Sequence, residues 1–217
     1  MDAEEMKGSF LVADLTDSTS LLYQAANGER NMVTVTEVYR RFFQNVFTGA
    51  QHSENVHIIN TTGDGFLAII PEIPGTRPSR TLVEFASRVR RYFEKDTKPM
   101  LGSLPFRQEV NLRMALHHGH LYRIRISKGK DQQSLYIGDD LNLAARVANS
   151  QTARDYGIAI TNAFYNRLML LDRRSESSPH ELIRDRNIYP RHIPVFRLPE
   201  VIPDYPPQAT IVGAASH

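Results

Sequence analysis

The stretch VHIINTTGDGFLAII, residues 56–70, reads as a β-hairpin. Two β-rich runs, VHIIN (56–60) and GFLAII (65–70), flank TTGD, and Gly63–Asp64 supplies the turn chemistry that such a connection needs. Upstream, FLVAD (10–14) is a short buried strand ending in the polar turn LTDSTS. Between the two, from Leu21 to Thr48, apolar residues recur at Val35, Val38, Tyr39, Phe42 and Val46, the spacing of one helix. Downstream, the proline-rich loop PEIPGTRPSR leads to a second amphipathic helix carrying Leu82, Phe85, Ala86, Val89 and Phe93.

Further along, Val110, Leu112, Met114 and Leu116 alternate with polar residues, as do Tyr122, Ile124 and Ile126. This predicts two half-buried strands meeting near HHGH, followed by a solvated loop, KGKDQQS. Leu141, Ala144, Ala145 and Ala148 fit a small-residue helix able to pack closely. A strand at Gly157–Ile160 and a helix N-capped by Thr161 come next. A charged segment (172–191) and a closing strand, IPVFRL, complete the pattern. The order predicts an α+β fold with a ferredoxin-like βαββαβ core and C-terminal additions. In such a sheet the first strand is expected between the third and the second, which would make neighbours of Asp14 and Asp64. One domain is expected over residues 8–198, with a flexible Pro-rich tail at 199–217 containing Pro203, Pro206 and Pro207.

The bulk numbers agree with a globular chain. With 217 residues, 41% hydrophobic and 23% charged, it can bury a sizeable core and is not of disordered composition. A formal charge of +2 makes no case for nucleic acid or a membrane surface as partner. With no cysteine, disulfides, thiolate catalysis and Cys-based zinc sites are excluded. The N-terminus MDAEEMKGSF is acidic where a signal peptide would be basic, and the longest apolar stretch is about FLAII. A soluble, cytoplasmic protein is therefore expected.

Asp14 ends an apolar strand and Asp64 sits in a tight turn. Two facing carboxylates repel unless a divalent cation lies between them, and such a pair, completed by substrate phosphates, suits Mg2+ or Mn2+. The turn Leu15-Thr16-Asp17-Ser18-Thr19 opens into a helix whose first amides form a phosphate cradle. Taken singly, Asp14 and Ser18 also read as helix caps, and Gly63–Asp64 as a plain turn. In GDDLNLAARVAN, Asn142 and Arg146 are four residues apart and share one helical face. The apolar and alanine positions around them suggest a packed face with two rigid donors, and the arginine fork suits phosphate.

Together FLVADLTDST, TTGDGF, LRMALHHGHL and YIGDDLNLAARV resemble, in order, the catalytic domain of the class III nucleotidyl cyclases over residues 8–198. That resemblance implies a head-to-tail homodimer with sites at the subunit interface, each converting a nucleoside triphosphate to a 3′,5′-cyclic monophosphate and pyrophosphate. It implies two divalent cations per site, Mn2+ or Mg2+, held by Asp14, Asp64 and the backbone carbonyl of Leu15. It implies that Asn142 of the other chain fixes the ribose and Arg146 stabilises charge on the α-phosphoryl group.

The base-reading positions depart from the pattern of the family's adenylyl cyclases. Three residues before Gly63 and three before Gly138, where those enzymes carry Lys and Asp, stand Asn60 and Leu135. Asn and Leu cannot reproduce that adenine readout, while the Asn60 amide can present a donor or an acceptor to a pyrimidine edge. In this the chain resembles the pyrimidine cyclases of the bacterial Pycsar anti-phage systems, which implies UTP or CTP as substrate, cyclic UMP or cyclic CMP as signal, and a separate effector protein. An adenylyl cyclase with an atypical pocket and a catalytically silent nucleotide-binding module remain alternatives. A GGDEF-like dinucleotide synthase is disfavoured by TTGDGF. His117 and His118 point to opposite faces of a strand, so with His120 they are not expected to bind zinc. Arg88, Arg90 and Arg91 read as a solvated helix face, and Arg186 or Arg191 as candidates to reach the terminal phosphates.

Overall fold

The computed structural model describes residues 3–26, 28–61, 63–105, 109–128, 131–171, 182–183 and 195–197. In chain order the elements are β1 (Ala3–Leu15), α1 (Ser18–Ala26), α2 (Glu29–Gln51), β2 (His57–Thr61), β3 (Gly65–Pro71) and α3 (Pro78–Tyr92). A π-helical turn (Phe93–Thr97) and α4 (Lys98–Gly102) lead to β4 (Leu112–Lys128) and β5 (Asp131–Ile137). Then come α5 (Asp139–Ala148), α6 (Gln151–Tyr156), β6 (Ile158–Thr161), α7 (Asn162–Leu171), β7 (Leu182–Ile183) and β8 (Val195–Arg197). The sheet runs β2-β3-β1-β4-β6-β8-β7, with β5 paired to the projecting part of β4. Within it, β2-β3-β1-β4 is the expected ferredoxin-like core, and β4–β6 is a parallel pair. The Pro-rich tail 199–217 lies outside the described residues.

Four local expectations change. The first strand lies between the third and the fourth, not the third and the second. Phe10 and Leu11, on opposite faces of β1, are both fully buried, and only a central strand covers both faces. The single helix expected over Leu21–Thr48 is two, because Gly28 adopts an extended conformation (φ −154°, ψ 119°) and starts α2 afresh. The two strands expected to meet near HHGH are one strand of 17 residues. Apolar positions keep the same parity from Leu112 to Ile126, and β1 pairs straight through the glycine, Gly8 opposite Gly119. Finally, much of KGKDQQS belongs to β5, which satisfies the free edge of β4 from Tyr122 to Lys128.

The main core fills the space between one face of the sheet and α1–α3, with Leu11, Leu15, Phe42, Phe66, Phe85 and Phe93 buried together. The other face carries α5, where Ala144 packs with Phe10, Leu67, Ile69 and Leu121. Its small side chains let the helix approach closely, as the sequence predicts. Thr161 caps α7, its hydroxyl oxygen accepting the Phe164 N–H at 3.3 Å.

At the end of the sheet away from Asp14, His118 is 10% exposed, its Nδ1 lying 3.0 Å from Ser9 Oγ and its Nε2 3.7 Å from Glu72. Burial pushes His118 down to about 4; Arg167, Lys7 and His117 push the same way, and Glu72 opposes. The native state therefore refuses a proton that the unfolded chain accepts below about pH 6.5. Stability is complete above that pH and falls as pH drops toward 4, by about 3 kcal/mol at most. Urea denaturation at pH 7.5 and pH 5 is expected to show this loss and His118→Gln to lessen it. Equal wild-type stability at the two values would contradict the assignment.

Candidate active site

The register of β1 builds the site. Asp14 stands opposite Gly65 of β3 on one side and Arg113 of β4 on the other. Asp64 precedes Gly65, so two carboxylates distant in sequence meet at one end of the sheet. The chain then leaves β1 through a sharp turn in which Asp17 takes a left-handed conformation (φ 55°), tolerated by Asp better than by most residues. α1 starts immediately, with its first turn facing the same space.

Asp14, Leu15 and Asp64 line an open cleft of about 560 Å³, joined by Asp17, Ser18 and Thr19 from the turn and helix start. Ser20, Tyr23 and Arg113 complete the lining. Arg113 Nε donates to Asp14 Oδ2 at 3.1 Å, and Nη2 of the same fork donates to that oxygen as well. Ser18 donates its hydroxyl to Asp64 Oδ2. Behind the cleft, burial and the charge of Asp64 push the Tyr39 phenol up to about 12; Ser18 opposes and the charge of Asp14 adds. Both carboxylates thus act on one half-buried ring. Three carboxylates, Asp14, Asp17 and Asp64, face one guanidinium, so the cleft as a whole favours a cation.

The donor set suits a hard divalent ion. Asp14 and Asp64 supply carboxylate oxygens, and Leu15 lines the same wall. Among the described residues no group of three or more His, Asp or Glu converges to form an all-protein cage. Such a pair of carboxylates suits Mg2+ or Mn2+, whose remaining ligands would be water or phosphate oxygens.

Other candidates lie elsewhere. Thr16 is tied to the loop before β4, its hydroxyl accepting the Asn111 N–H at 2.9 Å, and it is not among the residues lining the cleft. Asn142 and Arg146 are exposed on α5, on one helical face, and neither lines the cleft. Asn60 is in β2 opposite Leu67, and its side chain lies outside the described residues. Leu135 is in β5 and 48% exposed; with Tyr122, Ile126 and Ile137 it forms an apolar strip on one face of the β4–β5 hairpin. Arg186 and Arg191 lie outside the described residues. His117 bonds to Thr161 and His118 to Ser9, on opposite faces of β4. Arg113 is the residue that sequence reasoning missed. Its signal is a cross-strand register with Asp14, invisible until the strands are paired.

No protein-family profile matches the sequence, and no curated protein matches it. Solved structures do match. The adenylyl cyclase CyaB from P. aeruginosa is 14% identical, with a TM-score of 0.69 over 94% of this chain and 100% of that one. The guanylyl cyclase Cya2 is 15% identical, with a TM-score of 0.67 over 90% of this chain and 93% of that one. The catalytic core of a rhodopsin-guanylyl cyclase with converted specificity, in complex with ATPalphaS, is 16% identical, with a TM-score of 0.60 over 90% and 97%. The fold is therefore that of the class III cyclase domains. Among the described residues no helix is long and apolar enough to cross a membrane.

Proposed function

We propose that this chain is a nucleotidyl cyclase that works as a head-to-tail homodimer and converts UTP, or CTP, to the 3′,5′-cyclic monophosphate and pyrophosphate. The observation that carries the reading is the meeting of Asp14 and Asp64 in one open cleft beside Arg113 and the start of α1. Asp14, Asp64 and the Leu15 carbonyl would hold divalent cations, Mn2+ or Mg2+, which would supply the positive charge that activates the ribose 3′-hydroxyl and steadies the leaving pyrophosphate. The amides at the start of α1, with Ser18 and Thr19, receive the phosphates, and Arg113 adds a fork of donors beside them.

The ribose 3′-oxygen bonds to the α-phosphorus, its proton passes to solvent, and the bond from the α-phosphorus to the bridging oxygen breaks. Arg146 of a second copy meets the charge gathering on the α-phosphoryl oxygens, and Asn142 of that copy orients the ribose. Two facts support a second copy. Asn142 and Arg146 are exposed away from the cleft, and the apolar strip of Tyr122, Ile126, Leu135 and Ile137 is the kind of surface that a partner covers.

The pyrimidine reading rests on Asn60 and Leu135 in place of the adenine-reading Lys and Asp. By resemblance to the Pycsar cyclases, we place the product as a second messenger in anti-phage defence, read by a separate effector protein. Purified protein with Mn2+ and ATP, GTP, CTP or UTP in turn, followed by mass identification of products, tests the reading. UTP or CTP is expected to exceed ATP in kcat/KM by at least about tenfold. Conversion of ATP alone would end the pyrimidine assignment, and conversion of none would leave a silent nucleotide-binding module.

A further inference from the structure

Asp140 lies in the first turn of α5, two residues before Asn142. One carboxylate oxygen accepts the backbone N–H of His120 in β4 at 2.8 Å, and the other lies 3.4 Å from Nε2 of His117. His117 is 3% exposed and packs edge-on against Phe10, ring centroids 5.1 Å apart. Its Nδ1 is 2.7 Å from the Thr161 hydroxyl, whose oxygen already accepts the Phe164 N–H. The Asp140 carboxylate can only accept, which favours the ring proton on Nε2 and leaves the Thr161 hydroxyl to donate to Nδ1. Nε2 makes no hydrogen bond, and the Asp140 carboxylate faces it from 3.4 Å. Burial pushes the ring below the usual imidazole range, with Asp140 pulling the other way. Gly119 makes the approach possible, because a Cβ there would overlap the Asp140 carboxylate.

α5 also rests on apolar contacts: Ala144, Val147 and Ala148 are buried, with Leu141 and Leu143 packed beside them. Such contacts fix how far the helix stands from the sheet. They are non-directional and resist its rotation weakly, whereas hydrogen bonds have a preferred line. The carboxylate also sits where the helix dipole favours negative charge.

We propose that Asp140, through His117 and the His120 amide, is the positioning group that sets the rotation of α5 and so the aim of Asn142 and Arg146. The proposal rests on the reading of α5 as the donor helix of the cyclase site. A donor displaced by about 1 Å costs on the order of 10²-fold in rate.

The test uses the full chain with the nucleotide it converts. Asp140→Ala is expected to lower kcat by about 10²-fold with KM within about twofold, and to combine less than multiplicatively with Arg146→Ala, since part of its effect passes through that donor. In 15N spectra the His117 ring should show its proton on Nε2, a resonance that moves in Asp140→Ala and stays in Arg146→Ala. Amide exchange in α5 should quicken in Asp140→Ala, and Gly119→Ala should reproduce both effects with the sheet intact. Independent, multiplicative losses for Asp140→Ala and Arg146→Ala would overturn the proposal, as would a His117 resonance indifferent to Asp140. If wild-type protein converts no nucleotide, the cyclase reading fails, and the resonance and exchange data still decide whether Asp140 holds the helix.

Discussion

Asp14→Ala protein is expected to lose nucleotide turnover by about 10³-fold or more and to lose Mn2+ binding with it. The carboxylate supplies charge at the cleft and nothing in the lining replaces it. Asp17 sits beyond the strand in the turn, on a left-handed backbone, and Asp64 has Ser18 on one of its oxygens. The substitution also leaves the Arg113 fork without its acceptor in a half-buried position, at a cost of about 1–3 kcal/mol. Asp14→Asn keeps the shape and an acceptor for Arg113, so it separates loss of charge from loss of fold. Mn2+ titrated into each protein and followed by electron paramagnetic resonance gives affinity without reference to turnover. Wild-type affinity in Asp14→Asn, or turnover within about tenfold of wild type, would remove Asp14 from the metal site.

The second large effect concerns assembly. Asp14→Ala and Arg146→Ala proteins are each expected to be nearly inactive, Arg146→Ala by about 10²–10³-fold. Mixed one to one and allowed to exchange, they should recover roughly a quarter of wild-type activity. Random association makes about half of the dimers mixed, and each mixed dimer holds one intact site and one doubly broken site. The intact site takes Asp14 and Asp64 from the Arg146→Ala chain and Arg146 from the other. If heterodimers form by native mass spectrometry and the mixture stays inactive, the site is not shared. Full recovery would be equally damaging, since it requires two working sites per mixed dimer.

The parts of the proposed shared site legible in the sequence are those written in adjacent residues. A buried strand ending in Asp14, a turn carrying Asp64, and Asn142 and Arg146 on one helical face need only local periodicity. Arg113 was not legible, because its role depends on register: β4 places it across from Asp14, some 99 residues away along the chain. The continuity of β4 through HHGH had the same cause. The alternation on either side suggested two strands, while β1 running alongside makes one of them. Asp140 and His117 read separately as an acidic helix start and one of three histidines. Their contact needs α5 laid over the sheet at a glycine.

By itself, the sequence determined which residues carry charge and which faces are apolar, since side-chain period and turn chemistry are properties of neighbouring residues. It thereby put Asp14 and Asp64 at strand and turn ends, and it set Asn60 and Leu135 at the positions on which the proposed pyrimidine reading rests. Only the tertiary structure decided that β1 is central, that Asp14 faces Arg113 beside Asp64, and that Asp140 ties α5 to β4. Those facts follow from strand order and helix placement, where hydrogen bonds and burial are made between segments that no local pattern brings together.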